Sequence, residues 1–195
     1  VQVGSFRGDL MKTVIVKRFF HELFGEETTR LDLLSIITAS VLGTLLVFWL
    51  DFTHLIELSI PILVIVLLLM ADILGGVVAN MTKGTQLYYK ERPTFRQIFI
   101  LIHIQPIIFA LLIKSFVIES IFLYLYVVLA ATLINAIRHL PQHKGVAAFM
   151  FMMGALLLIL IGMNMPPYVL IFFLFFMMKI ILSFSVSHTH ARKIQ

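Results

Sequence analysis

The chain has 195 residues, of which 61% are hydrophobic and only 13% charged, against about 25% charged in a soluble domain; its mean hydropathy of +1.04 excludes a water-soluble fold. Cysteine is absent, so disulfides, thiolate metal sites and cysteine nucleophiles are excluded as well. The net charge of +5 does not point to nucleic acid, because the basic residues lie in loops between apolar blocks, where a bilayer explains them.

Residues 1–30 place Phe19, Phe20, Leu23 and Phe24 beside Lys17, Arg18, Glu22, Glu26 and Glu27. This pattern predicts a cytoplasmic amphipathic segment with a short helix lying on the membrane surface. Six apolar blocks follow: Leu31–Leu50, Glu57–Asn80, Phe95–Lys114, Ile118–Ile137, Val146–Asn164 and Tyr168–Ser187. Each approaches the ~20 residues a helix needs to cross about 30 Å of hydrocarbon. Asp51 to His54, the polar run Thr82 to Thr94, Pro141 with its neighbouring histidines, and Asn164 with Pro166 and Pro167 mark turns between them. The expected fold is an all-α integral membrane protein, a bundle of about six transmembrane helices over residues 31–187, with a cytoplasmic tail at 188–195.

Basic residues set the orientation, since cytoplasmic loops retain Lys and Arg. Arg7, Lys12, Lys17, Arg18 and Arg30 precede the first block; Lys83, Lys90, Arg92 and Arg96 follow the second; Arg138 and Lys144 follow the fourth; Arg192 and Lys193 end the chain. The remaining turns contain only Lys114. Both termini are therefore expected in the cytoplasm, and the expected location is a bacterial plasma membrane. The lipid bilayer is the main partner. With 22.3 kDa spent almost entirely on crossing it, one protomer has little room for a wide pore, and a homo-oligomer is the natural complement.

A charged group at mid-membrane costs roughly 2.5–3.5 kcal/mol on insertion scales, so ionisable residues inside the blocks are functional candidates. Asp72, His103 and Lys179 each lie about eight residues from the cytoplasmic end of their block, which at 1.5 Å per residue is roughly 12 Å. Equal depth permits contact. One reading makes Asp72 and Lys179 a neutralising pair that holds two helices in register. The other makes all three part of a cytoplasm-facing polar cavity for a proton, a metal ion or a charged small molecule. Asp72, Gly76 and Asn80 share a helical face, and Gly75 with Gly76 allows close approach of a helix or a ligand.

Asn135, His139 and His143 follow at four-residue intervals. That spacing can present two imidazoles to one divalent metal, although Pro141 lies between the histidines. His188 and His190 belong to the tail. The methionines of the last two blocks read as apolar filler rather than a copper path.

The stretch Asp72-x-x-Gly75-Gly76-x-x-Ala79-Asn80 is similar in outline to the start of the CDP-alcohol phosphotransferase motif, whose family also has about six spans. Gly75 and Asn80 stand where that motif has a metal-binding Asp and an Arg, and its later acidic part is missing. The likeness covers about nine residues and carries no membership. It contributes one of three function classes: a membrane-embedded, possibly metal-dependent enzyme acting on lipid headgroups, with Asn80 and Lys83 holding an anionic group. The others are a binding or transport protein using Asp72, His103 and Lys179, which the residues favour, and a non-catalytic assembly or regulatory subunit.

Overall fold

The structure, a computed structural model, describes residues 11–188. It begins with a two-stranded antiparallel ribbon of β1 (Thr13–Ile15) and β2 (Glu27–Thr29), in which Thr13 lies opposite Thr29. Between the strands a 3-10 turn, Arg18–Phe20, runs into the single-turn helix α1 (His21–Phe24). The amphipathic helix expected here is thus confined to a short stretch inside a folded ribbon. The β-branched Thr13, Val14, Ile15, Thr28 and Thr29 favour extended backbone. Gly25, at φ +76°, ends α1 in a conformation that strains any other residue.

Six helices are long and apolar enough to cross a membrane. The first span, α2 (Arg30–Leu50), starts on a capping box: the Thr29 hydroxyl accepts from the Asp32 N–H, and the Asp32 carboxylate accepts from the Thr29 N–H. A short α3 (Phe52–Ile56) leads into the second span, α4 (Ile60–Met81), with Pro61 in its first turn, where no N–H is needed. The polar run after it contains a further helix, α5 (Lys83–Lys90), capped by the Thr82 hydroxyl.

The third span departs from expectation. It is two helices, α6 (Pro93–Ile102) and α7 (Gln105–Leu112), separated at His103 and Ile104. Pro106 supplies the reason, because it has no N–H and its ring excludes the carbonyl four residues back, that of Ile102. The fourth span, α8 (Val117–Ala136), and the fifth, α9 (His143–Ile161), are continuous. The sixth, α10 (Pro167–Met177), widens into a π-helical segment, Met178–Phe184, a form often found at functional sites.

The sixth span is the hub of the bundle, lying against all five other spans. Phe172, Phe173, Phe176, Met177 and Ile180 are fully buried there, and Phe109 of α7 stacks on Phe172 with ring centroids 4.0 Å apart. The first span turns Leu34, Ile37, Val41, Leu45 and Trp49 outward, toward the lipid. Small residues let it close on the second span: Ser40 donates to the Ala71 carbonyl at 3.0 Å, and a Cβ on Gly75 would overlap the Ser40 hydroxyl. Beyond the far end of the first span, buried Asp51 accepts from the Tyr168 N–H at 2.9 Å and from His54. That carboxylate caps the sixth span from another part of the chain. Six crossings return the chain to its starting face, which the ribbon, α5 and Ser187 share.

Candidate functional site

Asp72 and Lys179 meet. Nζ of Lys179 lies 2.7 Å from Oδ2 of Asp72, so the equal depths inferred from the sequence become a direct contact between the second and sixth spans. The pair is asymmetric: the lysine side chain is 4% exposed and the aspartate 39%. Gly76 is what permits it, because a Cβ at that position would run into Cε of Lys179. Of the two adjacent glycines, Gly75 therefore serves helix packing and Gly76 serves the charged pair.

His103 stands at the break in the third span, where it forms the C-terminal cap of α6. Its Nδ1 donates to the Phe99 carbonyl, and its ring lies 3.9 Å from that of Phe99, centroid to centroid. Gln105, on the other side of the break, donates through Nε2 to the same Asp72 oxygen that Lys179 holds. Gln105 carries no charge and so escapes a search for ionisable residues inside the apolar blocks. Its signal was Pro106: a proline in mid-span implies a turn at which polar side chains become useful.

Carbonyls of the π-helical segment and of Ser185 just after it accept from side chains of three other elements. Asn80 donates to the Lys179 carbonyl at 3.4 Å and Gln86 of α5 to that of Ser183 at 3.2 Å. Arg96 donates to the carbonyls of Phe184 and Ser185, the second at 3.0 Å, and through Nε to Oδ1 of Asn135 at 2.8 Å. Arg96 is 2% exposed, so it is an internal clamp rather than a loop charge. Asn135 belongs to this clamp and stands apart from the Asp72 pair. Tyr89 is buried beside it, edge-on to Phe99 and Phe184, and burial pushes its phenol well above the ordinary value.

A cavity of about 980 Å³ runs from the Asp72–Lys179 pair and His103 to the N-terminal face. Asp72, Asn80, His103 and Lys179 line its inner part, and Arg18, Glu22 and Glu26 from the ribbon line its mouth. The ribbon is fastened over α5 by backbone contact between Gly25 and Gly84, by a 2.9 Å hydrogen bond from Thr85 to the Leu23 carbonyl, and by an ion pair of 2.8 Å between Arg92 and Glu26. A residue larger than glycine at 25 or 84 would collide with the opposing backbone.

His139 and His143 have separate surroundings. His139 is exposed in the turn after the fourth span, while buried His143 donates from Nδ1 to the Leu140 carbonyl at 2.7 Å and accepts from the Ser187 N–H through Nε2 at 3.3 Å. Both of its ring nitrogens thus serve the backbone. Among the described residues no three His, Asp or Glu side chains are grouped so as to hold a metal ion. His188 donates to the Leu182 carbonyl at 3.0 Å, and His190 lies outside the described residues. Compared with protein-family models, curated proteins and solved structures, the chain matches none.

Proposed function

We propose that this integral membrane protein is a small binding or transport protein that admits a charged solute to the Asp72–Lys179 pair from the cytoplasmic side of a plasma membrane. The observation that carries this reading is the half-exposed Asp72 carboxylate facing a cavity of about 980 Å³. A pair serving helix register alone needs no such opening. The broken third span supports the reading, because irregular backbone at membrane depth is tolerated where it is buried in protein or lines a water-filled cavity. Discontinuous helices are also a recurrent feature of transporter binding sites. The cytoplasmic assignment rests on the basic residues Lys17, Arg18, Lys83, Lys90, Arg138 and Lys144, which lie on the face where the cavity opens, against Lys114 alone in the opposite turns. On that side the aromatic stack of Phe109 and Phe172 fills the bundle.

The test is a panel of small anions, cations and zwitterions added to the purified protein while its melting temperature is followed. A ligand present at 100 times its Kd stabilises the folded state by about 2.7 kcal/mol. At least one compound should stabilise the wild type and leave the Asp72→Asn, Lys179→Met double variant unmoved. Flux of that compound into proteoliposomes then separates transport from binding. A panel in which every compound acts equally on both proteins refutes the reading.

A further inference from the structure

The inner end of the cavity is rich in hydrogen-bond acceptors. Both donors that reach Asp72, Lys179 Nζ and Gln105 Nε2, go to Oδ2, and among the described residues Oδ1 has no partner. The Phe99 carbonyl can only accept, so His103 carries its proton on Nδ1; in the neutral ring this leaves Nε2 as an acceptor, again without a partner among the described residues. An anion brought here would meet lone pairs. A primary ammonium has three N–H donors and one positive charge, and so complements both the acceptors and the half-exposed carboxylate.

The lining also balances its charges: Arg18, Arg92 and Lys179 stand against Glu22, Glu26 and Asp72. A ligand that is itself neutral overall keeps that balance. Resting on the binding function proposed above, we infer that the cavity takes a zwitterion with a primary ammonium group, held by Oδ1 of Asp72 and Nε2 of His103. Such a group is found both on free solutes and on lipid headgroups. The second span and α6, which bound the cavity, scarcely touch, and lining residues Phe95 and Ile102 are exposed. This gives a lipid a route from the side.

The experiment uses the full chain in detergent, titrated with glycerophosphorylethanolamine, a phosphodiester that is neutral overall, and, in parallel, with glycerophosphorylcholine, which keeps both charges and replaces the three N–H groups by methyls. The ammonium compound should bind at least about tenfold more tightly, the size of one charge-assisted hydrogen bond. A second arm compares melting in nanodiscs of phosphatidylethanolamine and of phosphatidylcholine. Preference confined to the nanodiscs assigns a lipid ligand; preference for the soluble headgroup assigns a free solute. His103→Phe fills the ring's space without an acceptor and should abolish the preference in whichever arm shows it. Equal response to the two headgroups in both arms, absence of response included, overturns the inference, as does a preference that survives both His103→Phe and Asp72→Asn. If another charged compound still stabilises the wild type through Asp72, only the ammonium assignment falls and the binding function stands.

Discussion

Removing either partner of the Asp72–Lys179 pair should destabilise the protein, but not to the same degree. At 2.7 Å and an effective dielectric of about 20, the gross Coulomb attraction is about 6 kcal/mol. Most of it offsets desolvation, and breaking a buried pair from one side typically costs about 3–5 kcal/mol. Lys179 is almost wholly buried, so Asp72→Asn strands an ammonium with only an amide oxygen beside it and should cost about 3 kcal/mol, the low end of that range. Asp72 retains Gln105 and faces the cavity, so Lys179→Met should cost about 1–2 kcal/mol, the ordinary penalty for one lost charged hydrogen bond with solvent at hand. The double variant leaves no charge unpaired and should lie within about 1 kcal/mol of the wild type. Urea unfolding in mixed micelles, followed by the near-ultraviolet circular dichroism of Trp49 and the tyrosines, supplies the four free energies of the cycle. Additive losses, or a larger loss for Lys179→Met than for Asp72→Asn, would refute the contact or its asymmetry.

Gly76→Leu should lower the melting temperature far more than Leu68→Ala, because a side chain at 76 displaces Lys179 whereas Leu68 is 64% exposed; equal shifts would mean that the face bearing Asp72 is loosely packed. Gly25→Ala should loosen the ribbon, since it combines positive φ with a collision against Gly84 and strain of about 1–3 kcal/mol. Faster tryptic cleavage after Lys17 and Arg18, with unchanged helicity, is the expected sign. Asp51→Ala should cost about 1–2 kcal/mol by leaving the buried Tyr168 N–H uncapped, measured as a lower urea midpoint. Because the chain has no cysteine, single cysteines at Lys90 and Asn164 report topology cleanly: in intact cells an impermeant maleimide should label position 164 and spare position 90.

The sequence by itself determined the six crossings, because about twenty apolar residues have no other stable place than a bilayer. It also determined that both described ends share a face. It brought Asp72, His103 and Lys179 to one depth, since helical rise converts residue count directly into distance. Rotation about each helix axis is what residue count leaves open, and only tertiary packing decides it. That packing turned Gly75 toward Ser40 and Gly76 toward Lys179, drew Arg96 inward onto Asn135, and left His143 with two backbone partners. The break at His103 was legible in Pro106, but the π-helical widening at Lys179 was not: no residue type encodes it. Its carbonyls accept from Asn80, Gln86 and Arg96, which come from three different helices. The ribbon over the cavity mouth lay hidden for a related reason. Residues 13–29 carry an amphipathic pattern that suits a surface helix, and contacts with distant residues hold them as a folded cover: the fit of Gly25 against Gly84, two backbones closer than any side chain allows, the Thr85 hydrogen bond to Leu23 and the Arg92–Glu26 ion pair.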